Sequence, residues 1–510
     1  MRASMRKFLC SLAFTAALLM PALAIATPSE DPTFPELPAP KQFVTHHQLK
    51  IGAQIIHYTA IAGETYLSNL DREPIGSIFS FSYLKDGPIA PQRPVLFVFN
   101  GGPGSASVWL HMGVIGPRRV VLDNAVNPSN VPPFGVSDNP NSLLDATDIV
   151  FIDPIGTGFS HIVGKGKPED FYGVDEDANS ISQFIELWLS AHDRWNSPKF
   201  IMGESYGSGR AAILPRALMG GPTYLGMMRG ITVNGVILLG TTLGLHSDAP
   251  TNADEKLWSD ALDLPGYAAA AWYHRKIDRN GRSLPDFYEE ARNFAQTDYV
   301  EALRKGAALN DVDRDAIAAR LSAYTGLPKA NIPKDLKIPA GTFEKTLLSD
   351  RGLSVGAYDS RYTLATAHSG NEPVADDPAM GQYVPGFVAA FHEMLGRDLA
   401  VHLDTPYLAI HWRGLLEKWN WKREQVPVDQ NAAVDLATAM RRNQKLRVLV
   451  AAGYYDLNSP GALARHDLDA AGLPADRTTF KLYESGHMLY IGDTAKPFAD
   501  DVRALIHEAR

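Results

Sequence analysis

The sequence predicts an α/β fold: a mainly parallel sheet with helices on both faces. Three observations predict it. Short unbroken apolar runs recur at 94–99, 148–153, 231–240 and 446–452, as expected of strands buried on both faces. A segment of helical spacing, 175–192, places Ile181, Phe184, Ile185 and Trp188 on one side. Several of the runs open directly into glycine-rich loops, and strands alternating with helices in this order build a parallel sheet.

The 510 residues are 45% hydrophobic and 21% charged, an ordinary globular composition but too long for one small domain. A core plus an insertion is expected. Residues 1–26 read as a signal peptide. Arg2, Arg6 and Lys7 form a basic start, 8–20 is a short apolar run broken by Pro21, and Ala24-Ile25-Ala26 is a small-residue cleavage signal. The run is short for a membrane span, so cleavage and export to the periplasm or medium are expected, with no span afterwards. Cleavage would take the net charge from −9 to about −12, which argues against a nucleic-acid partner. The one cysteine, Cys10, lies in the leader, so the mature chain has no disulfide, thiol nucleophile or Cys-ligated metal. That suits a bacterial-type exported protein large enough to need no staples.

A proline-rich arm at 27–41 precedes 43–62, which alternates apolar and polar residues about Gly52 and reads as a hairpin. A further strand at 77–83 completes a set of antiparallel edge strands. The run 94–99 opens into Asn100-Gly101-Gly102-Pro103-Gly104-Ser105, a tight loop whose backbone N–H groups can hold an anion or oxyanion. The run 148–153 opens into a second glycine loop, Pro154 to Ser160. After the helix at 175–192, residues 199–202 lead into Gly203-Glu204-Ser205-Tyr206-Gly207, and a helical pattern leaves at 206–218. A strand, a sharp Gly-x-Ser-x-Gly turn and a helix make the nucleophile elbow of α/β-hydrolases. The serine sits in a strained conformation, and its neighbours two residues away come too close to carry a Cβ. The helix N-terminus behind it favours a developing oxyanion.

Beyond about residue 243 the pattern changes. Residues 253–309, 311–324 and 380–399 read as helical, and 332–376 as irregular and proline-punctuated. The expected organisation is a hydrolase core at 27–244 and 429–510, interrupted by a mostly helical cap at 245–428. The core resumes with a helix at 432–442 and a buried strand at 446–452, just before Asp456. A last strand at 478–483 ends in Glu484-Ser485-Gly486-His487-Met488, and a helix at 494–508 closes the chain.

Sites on open α/β sheets lie beyond the carboxyl ends of the strands. Ser205, Asp456 and His487 each follow a strand, in the Ser, Asp, His order of the α/β-hydrolase triad. Asp467, Asp469 and Asp476 fall in helix-like or loop sequence, and His411, His466 and His507 look helical, so they are weaker candidates. The expected roles are nucleophile for Ser205, general base and acid for His487, and orientation of the imidazole for Asp456. The N–H of Tyr206 and a donor from the Gly101-Gly102 loop are the expected oxyanion hole.

The Asn100–Ser105 loop, the run Asp153 to Ser160, the elbow and Gly486-His487-Met488 together resemble the serine carboxypeptidases of peptidase family S10. The likeness covers the core on both sides of the insertion. It implies an exopeptidase that removes the C-terminal residue of peptides, with the N–H groups of Gly102 and Tyr206 as the oxyanion hole. It also implies that Asn100, the Gly101 N–H and Glu204 hold the substrate's terminal carboxylate, and that Met488 lines the S1′ pocket for the released residue. A protonated Glu204 would donate a hydrogen bond to a carboxylate that an ionised one would repel. Two residues depart from the pattern. Ser105 stands where many members carry a cysteine, and Val114 stands near the place of a second acid in well-studied members. Valine cannot share a proton with Glu204, which leaves the usual paired-acid grip, and the acidic pH preference that goes with it, without a partner.

No metal or organic cofactor is implied, and the expected partners are peptide substrates. A carboxylesterase or acyltransferase could use the same triad without needing Glu204. A non-catalytic binding protein on a hydrolase scaffold is the alternative of another class, and the intact triad argues against it.

Overall fold

A computed structural model describes residues 37–88, 90, 92–220, 228–244, 253–367, 370, 372–423 and 431–509. The expected signal peptide lies outside the described residues, as do 245–252 and 424–430 at the two expected cap junctions.

Three long strands come first: β1 (Gln42–Ile51), β2 (Gln54–Ser68) and β3 (Pro74–Lys85). The first two are joined at Gly52, whose φ of 57° suits glycine. Then follow β4 (Val95–Phe99), β5 (Asp148–Ile152), β6 (Lys199–Glu204), β7 (Gly235–Leu239), β8 (Arg447–Gly453) and β9 (Thr478–Tyr483). Their order in the sheet is β1-β2-β3-β5-β4-β6-β7-β8-β9, with the short strand His161–Ile162 paired to β3. Pairing is antiparallel from β1 to β5 and parallel from β5 to β9. With helices on both faces this is an α/β-hydrolase fold.

The central strands are unbroken apolar runs because both of their faces are covered. In β4, Leu96 and Val98 enter one core, while Val95, Phe97 and Phe99 enter the other. Strands β6 and β7 divide in the same way: Phe200, Met202, Ile237 and Leu239 face one side, Ile201, Val236 and Leu238 the other. The first core is closed by the helices Met380–Arg397 and Ala495–Glu508. The second is closed by α1 (Val174–Ala191), α2 (Tyr206–Met219) and the helix Ala432–Arg442. Emptying a site such as Phe97 would cost about 3–5 kcal/mol.

The helices Ala253–Leu262, Leu264–Tyr273, Leu284–Phe294 and Asp311–Thr325 feed a third apolar cluster, which also takes Tyr454, Tyr455 and Leu457 from the end of β8. This helical layer therefore roofs the strand end that carries Asp456.

Some elements differ from expectation. The strand expected from residue 231 begins at Gly235; just before it, the Asn234 side chain accepts from the Lys199 N–H at 3.1 Å and donates to the Ala509 carbonyl at 2.8 Å. Helical turns over Val108–Leu110 and His111–Ile115, and a hairpin of Arg118–Val121 with Gly135–Asp138, had no sequence forecast. His411 is not helical. Its segment pairs with both glycine loops through bridges Ser105 to Ile410 and Gly158 to Leu408.

The register decides what meets at the active edge. Phe99 lies opposite Gly203, Glu204 opposite Leu239, Leu239 opposite Ala451, and Gly453 opposite Tyr483. Every loop expected to carry chemistry therefore leaves the sheet at one end.

Candidate active site

Ser205 takes φ 61° and ψ −133°, a conformation that costs about 1–3 kcal/mol and persists only where the surroundings enforce it. The enforcement is visible. A Cβ on Gly203 would overlap the Gly207 carbonyl oxygen, and one on Gly207 would lie 2.7 Å from the Asn100 oxygen. The Ser205 N–H is tied to the Leu239 carbonyl at 2.9 Å, and its own carbonyl accepts from Ser208 N at 2.8 Å. The serine is thereby fixed at the head of α2.

Asp456 is 1% exposed and fully engaged. Its Oδ1 accepts from the N–H groups of Asn458 at 3.0 Å and Ser459 at 2.8 Å, while Oδ2 lies 2.8 Å from His487 Nδ1. That bond places the Nδ1 proton toward the carboxylate and leaves Nε2 as the basic nitrogen. The imidazole is seated against Gly240, where a Cβ would lie 2.7 Å from Cε1 and Nδ1, and against the edge of Tyr358. Burial alone would depress the imidazole pKa, but Asp456, and less so Glu204, outweigh it and hold it above the usual value.

Asn100, Gly101, Gly102, Ser105, Glu204, Ser205, His487 and Met488 line one cavity, with Trp109, Tyr358, Met380, Ile410 and Trp412 completing a largely apolar wall. Asp456 stands behind His487. A Cβ on Gly101 would lie 2.5 Å from Tyr206 N and 2.6 Å from Gly207 N, so this glycine allows its loop to run beside the free N–H groups of α2. Gly102 and Gly104 hold φ of 105° and 111°, open to glycine. The loop is braced by Asp153, whose Oδ1 accepts from Ser107 N at 2.8 Å and Ser107 Oγ at 2.7 Å. His411 braces it too: its N–H bonds the Gly104 carbonyl at 2.7 Å, and its Nδ1 lies 3.0 Å from the Gly156 oxygen.

Glu204, beside the nucleophile, is 2% exposed. Its Oε2 accepts from Asn100 Nδ2 at 2.7 Å and from the Tyr490 hydroxyl at 2.8 Å, and Oε1 lies 3.1 Å from the same hydroxyl. Burial pushes the acid up to about 7, against the pull of His487, Tyr490 and Asn100. An acid that keeps a large protonated fraction up to about pH 7, facing a cavity lined with N–H donors, suits recognition of a carboxylate. Val114 is fully buried.

Sequence reasoning missed the wall residues Trp109, Tyr358, Met380, Ile410 and Trp412, and two residues that brace the site. Tyr490 follows His487 by three positions, and that proximity was its one signal. Arg210, 2% exposed beneath the elbow, donates to the Asn100 carbonyl at 2.8 Å and pairs with Asp177 at 2.6 Å. Its signal was a charge one turn into a largely apolar helix. Among the described residues no group of three or more His, Cys, Asp or Glu side chains could hold a metal ion, and no helix is long and apolar enough to cross a membrane.

Residues 78–221 match a family model described as serine carboxypeptidase. Serine carboxypeptidase-like 5 of Arabidopsis thaliana is 31% identical over 132 residues, which is 25% of this chain and 28% of that protein. The pheromone-processing carboxypeptidase KEX1 of Metarhizium robertsii is 27% identical over 149 residues, 29% of this chain and 22% of that protein. The matched region thus spans under a third of either relative. Among solved structures, a soluble variant of monoglyceride lipase from Saccharomyces cerevisiae aligns with 12% identity and a TM-score of 0.36, covering 88% of this chain and 95% of that one. Proline iminopeptidase from Mycobacterium smegmatis aligns with 12% identity and a TM-score of 0.35, covering 91% and 98%.

Proposed function

We propose that this protein is a serine-type carboxypeptidase of the S10 kind, exported by its N-terminal leader and acting on the free C-terminus of peptides. The observation that carries this reading is Glu204. A buried acid beside the nucleophile, braced by Asn100 and held near neutrality in its protonation, has no use in hydrolysing a simple ester. It has a direct use in binding a terminal carboxylate.

In this account Ser205 Oγ attacks the carbonyl of the last peptide bond while His487 Nε2 takes its proton. The oxyanion is held by the N–H groups of Gly102 and Tyr206, whose donors are worth about 2.7–4 kcal/mol each in transition-state binding. Collapse of the tetrahedral intermediate breaks the C–N bond, and His487 returns the proton to the departing amino group. Water, deprotonated by the same imidazole, then releases the acyl group from Ser205. Asp456 keeps the ring in the tautomer this needs and stabilises the imidazolium. The released residue lies against Met488 and the apolar wall, its carboxylate on Glu204 Oε1, Asn100 and the Gly101 N–H.

The test is Glu204→Leu, which has no donor to offer a carboxylate. It should lower kcat/KM on free-acid peptides at least tenfold, the worth of a hydrogen bond to a charged group, and change hydrolysis of an N-blocked amino-acid ester less than threefold. Equal losses on both substrates would favour a carboxylesterase or acyltransferase.

A further inference from the structure

Where the resemblance implies a second acid beside Glu204, the structure places the Tyr490 hydroxyl within hydrogen-bond distance of that carboxyl. Oε2 of Glu204 already accepts two short hydrogen bonds, from Asn100 and Tyr490, while Oε1 has only the longer contact to the Tyr490 hydroxyl. An oxygen with two close donors is a poor seat for a proton, so the acid proton belongs on Oε1. Tyr490 is itself held firmly. It is 1% exposed, and its ring covers Gly113 so closely that a Cβ there would overlap it.

We propose that Tyr490 is a positioning residue standing in for the second acid: with Asn100 it engages Oε2, so that Glu204 presents a single proton from Oε1 to the substrate's terminal carboxylate. This rests on the carboxypeptidase reading. The charged and titratable groups that bear on Glu204 are His487, Tyr490 and Asp456, with Asn100 as a neutral donor. Two acids sharing a proton titrate as a coupled pair. Here burial and Glu204 keep the phenol neutral far above the physiological range, so one proton is lost rather than two. Because Tyr490 donates to the carboxylate, it favours the ionised acid. Removing the hydroxyl should therefore extend the competent form to higher pH, the opposite of what loss of a helpful acid would do.

The decisive measurement needs no substrate. Infrared difference spectra, each protein minus its Glu204→Gln counterpart, give the midpoint of the Glu204 carboxyl band against pH. In Tyr490→Phe the midpoint should rise by about one to two pH units, as expected from losing one hydrogen bond to a carboxylate. With 3-fluorotyrosine at position 490, a stronger donor of nearly the same shape, it should fall. This second variant keeps the test open if the phenylalanine variant folds poorly. An unchanged midpoint in both overturns the proposal, as does a shift in the opposite sense. The kinetic arm is the alkaline limb of kcat/KM on a free-acid peptide, which should move up with the midpoint in Tyr490→Phe while KM rises. A midpoint that moves in a protein unable to cleave any free-acid peptide would overturn the presentation to substrate and the carboxypeptidase reading together, and would leave the Tyr490–Glu204 bond standing.

Discussion

Raising the pH from 6 to 8 should selectively weaken recognition of a free carboxylate about tenfold. Glu204 is held at about 7, so its protonated fraction falls from about nine-tenths to about one-tenth over that interval. The ionised form is not merely weaker. Two carboxylates about 4 Å apart repel by about 4 kcal/mol at an effective dielectric near 20, enough to remove that form from productive binding. Two titrations overlap, since His487 and Glu204 bear on each other and His487 must be neutral to act as base. The useful quantity is therefore a ratio: kcat/KM for a free-acid peptide over kcat/KM for its C-terminal amide. His487 acts on both substrates and largely cancels. The ratio should drop about tenfold between pH 6 and 8. In Glu204→Gln it should be flat. A flat ratio in the unmodified protein, or the same drop in Glu204→Gln, would refute the assignment of that proton.

Gly101→Ala would force a Cβ to within 2.5–2.6 Å of Tyr206 N, Glu204 O and Gly207 N, so the loop must back away from the helix. Pre-steady-state acylation by an activated ester should slow about 10²–10³-fold, the effect of losing an oxyanion donor. Arg210→Met would leave Asp177 buried without its partner and release the Asn100 carbonyl. Chemical denaturation should show a loss of about 3–5 kcal/mol, and the further change Asp177→Leu should recover part of it. Stability should also depend on Glu204. Its folded pKa is raised, so its cost to the fold is absent near pH 4 and builds as pH climbs from about 4.5 through 7, to at most about 3 kcal/mol. Glu204→Gln should therefore raise the thermal midpoint relative to the parent at pH 8, with little or no gain at pH 5.

How much of this was legible in the chain follows from where the constraints are local. The central strands declared themselves because burial on both faces forbids polar residues at any position, as in Val95–Phe99. The elbow declared itself because Gly203 and Gly207 have no room for a Cβ. The strand-end rule brought Asp456 and His487 to one edge, and the 2.8 Å contact between them is what the register of β8 against β9 allows. Contacts made at long range left little local trace. Tyr490 meets Glu204 across 286 positions, and an aromatic after a histidine loop reads equally well as packing. His411 was misjudged because helical spacing outweighed the two glycine loops it clamps, more than 250 residues upstream. Arg210 drew no notice because its acid, Asp177, sits on a different helix.

The central claim is that Ser205, His487 and Asp456 cut the bond next to a free carboxyl terminus. Incubating the protein with a defined mixture of peptides, half with free acids and half with C-terminal amides, and reading the products by mass spectrometry tests it most directly. The account predicts free-acid peptides shortened by one residue at a time from the C-terminus, the amides cut far more slowly, and all cleavage lost in Ser205→Ala. Internal cleavage, or intact peptides beside rapid ester hydrolysis, would contradict it.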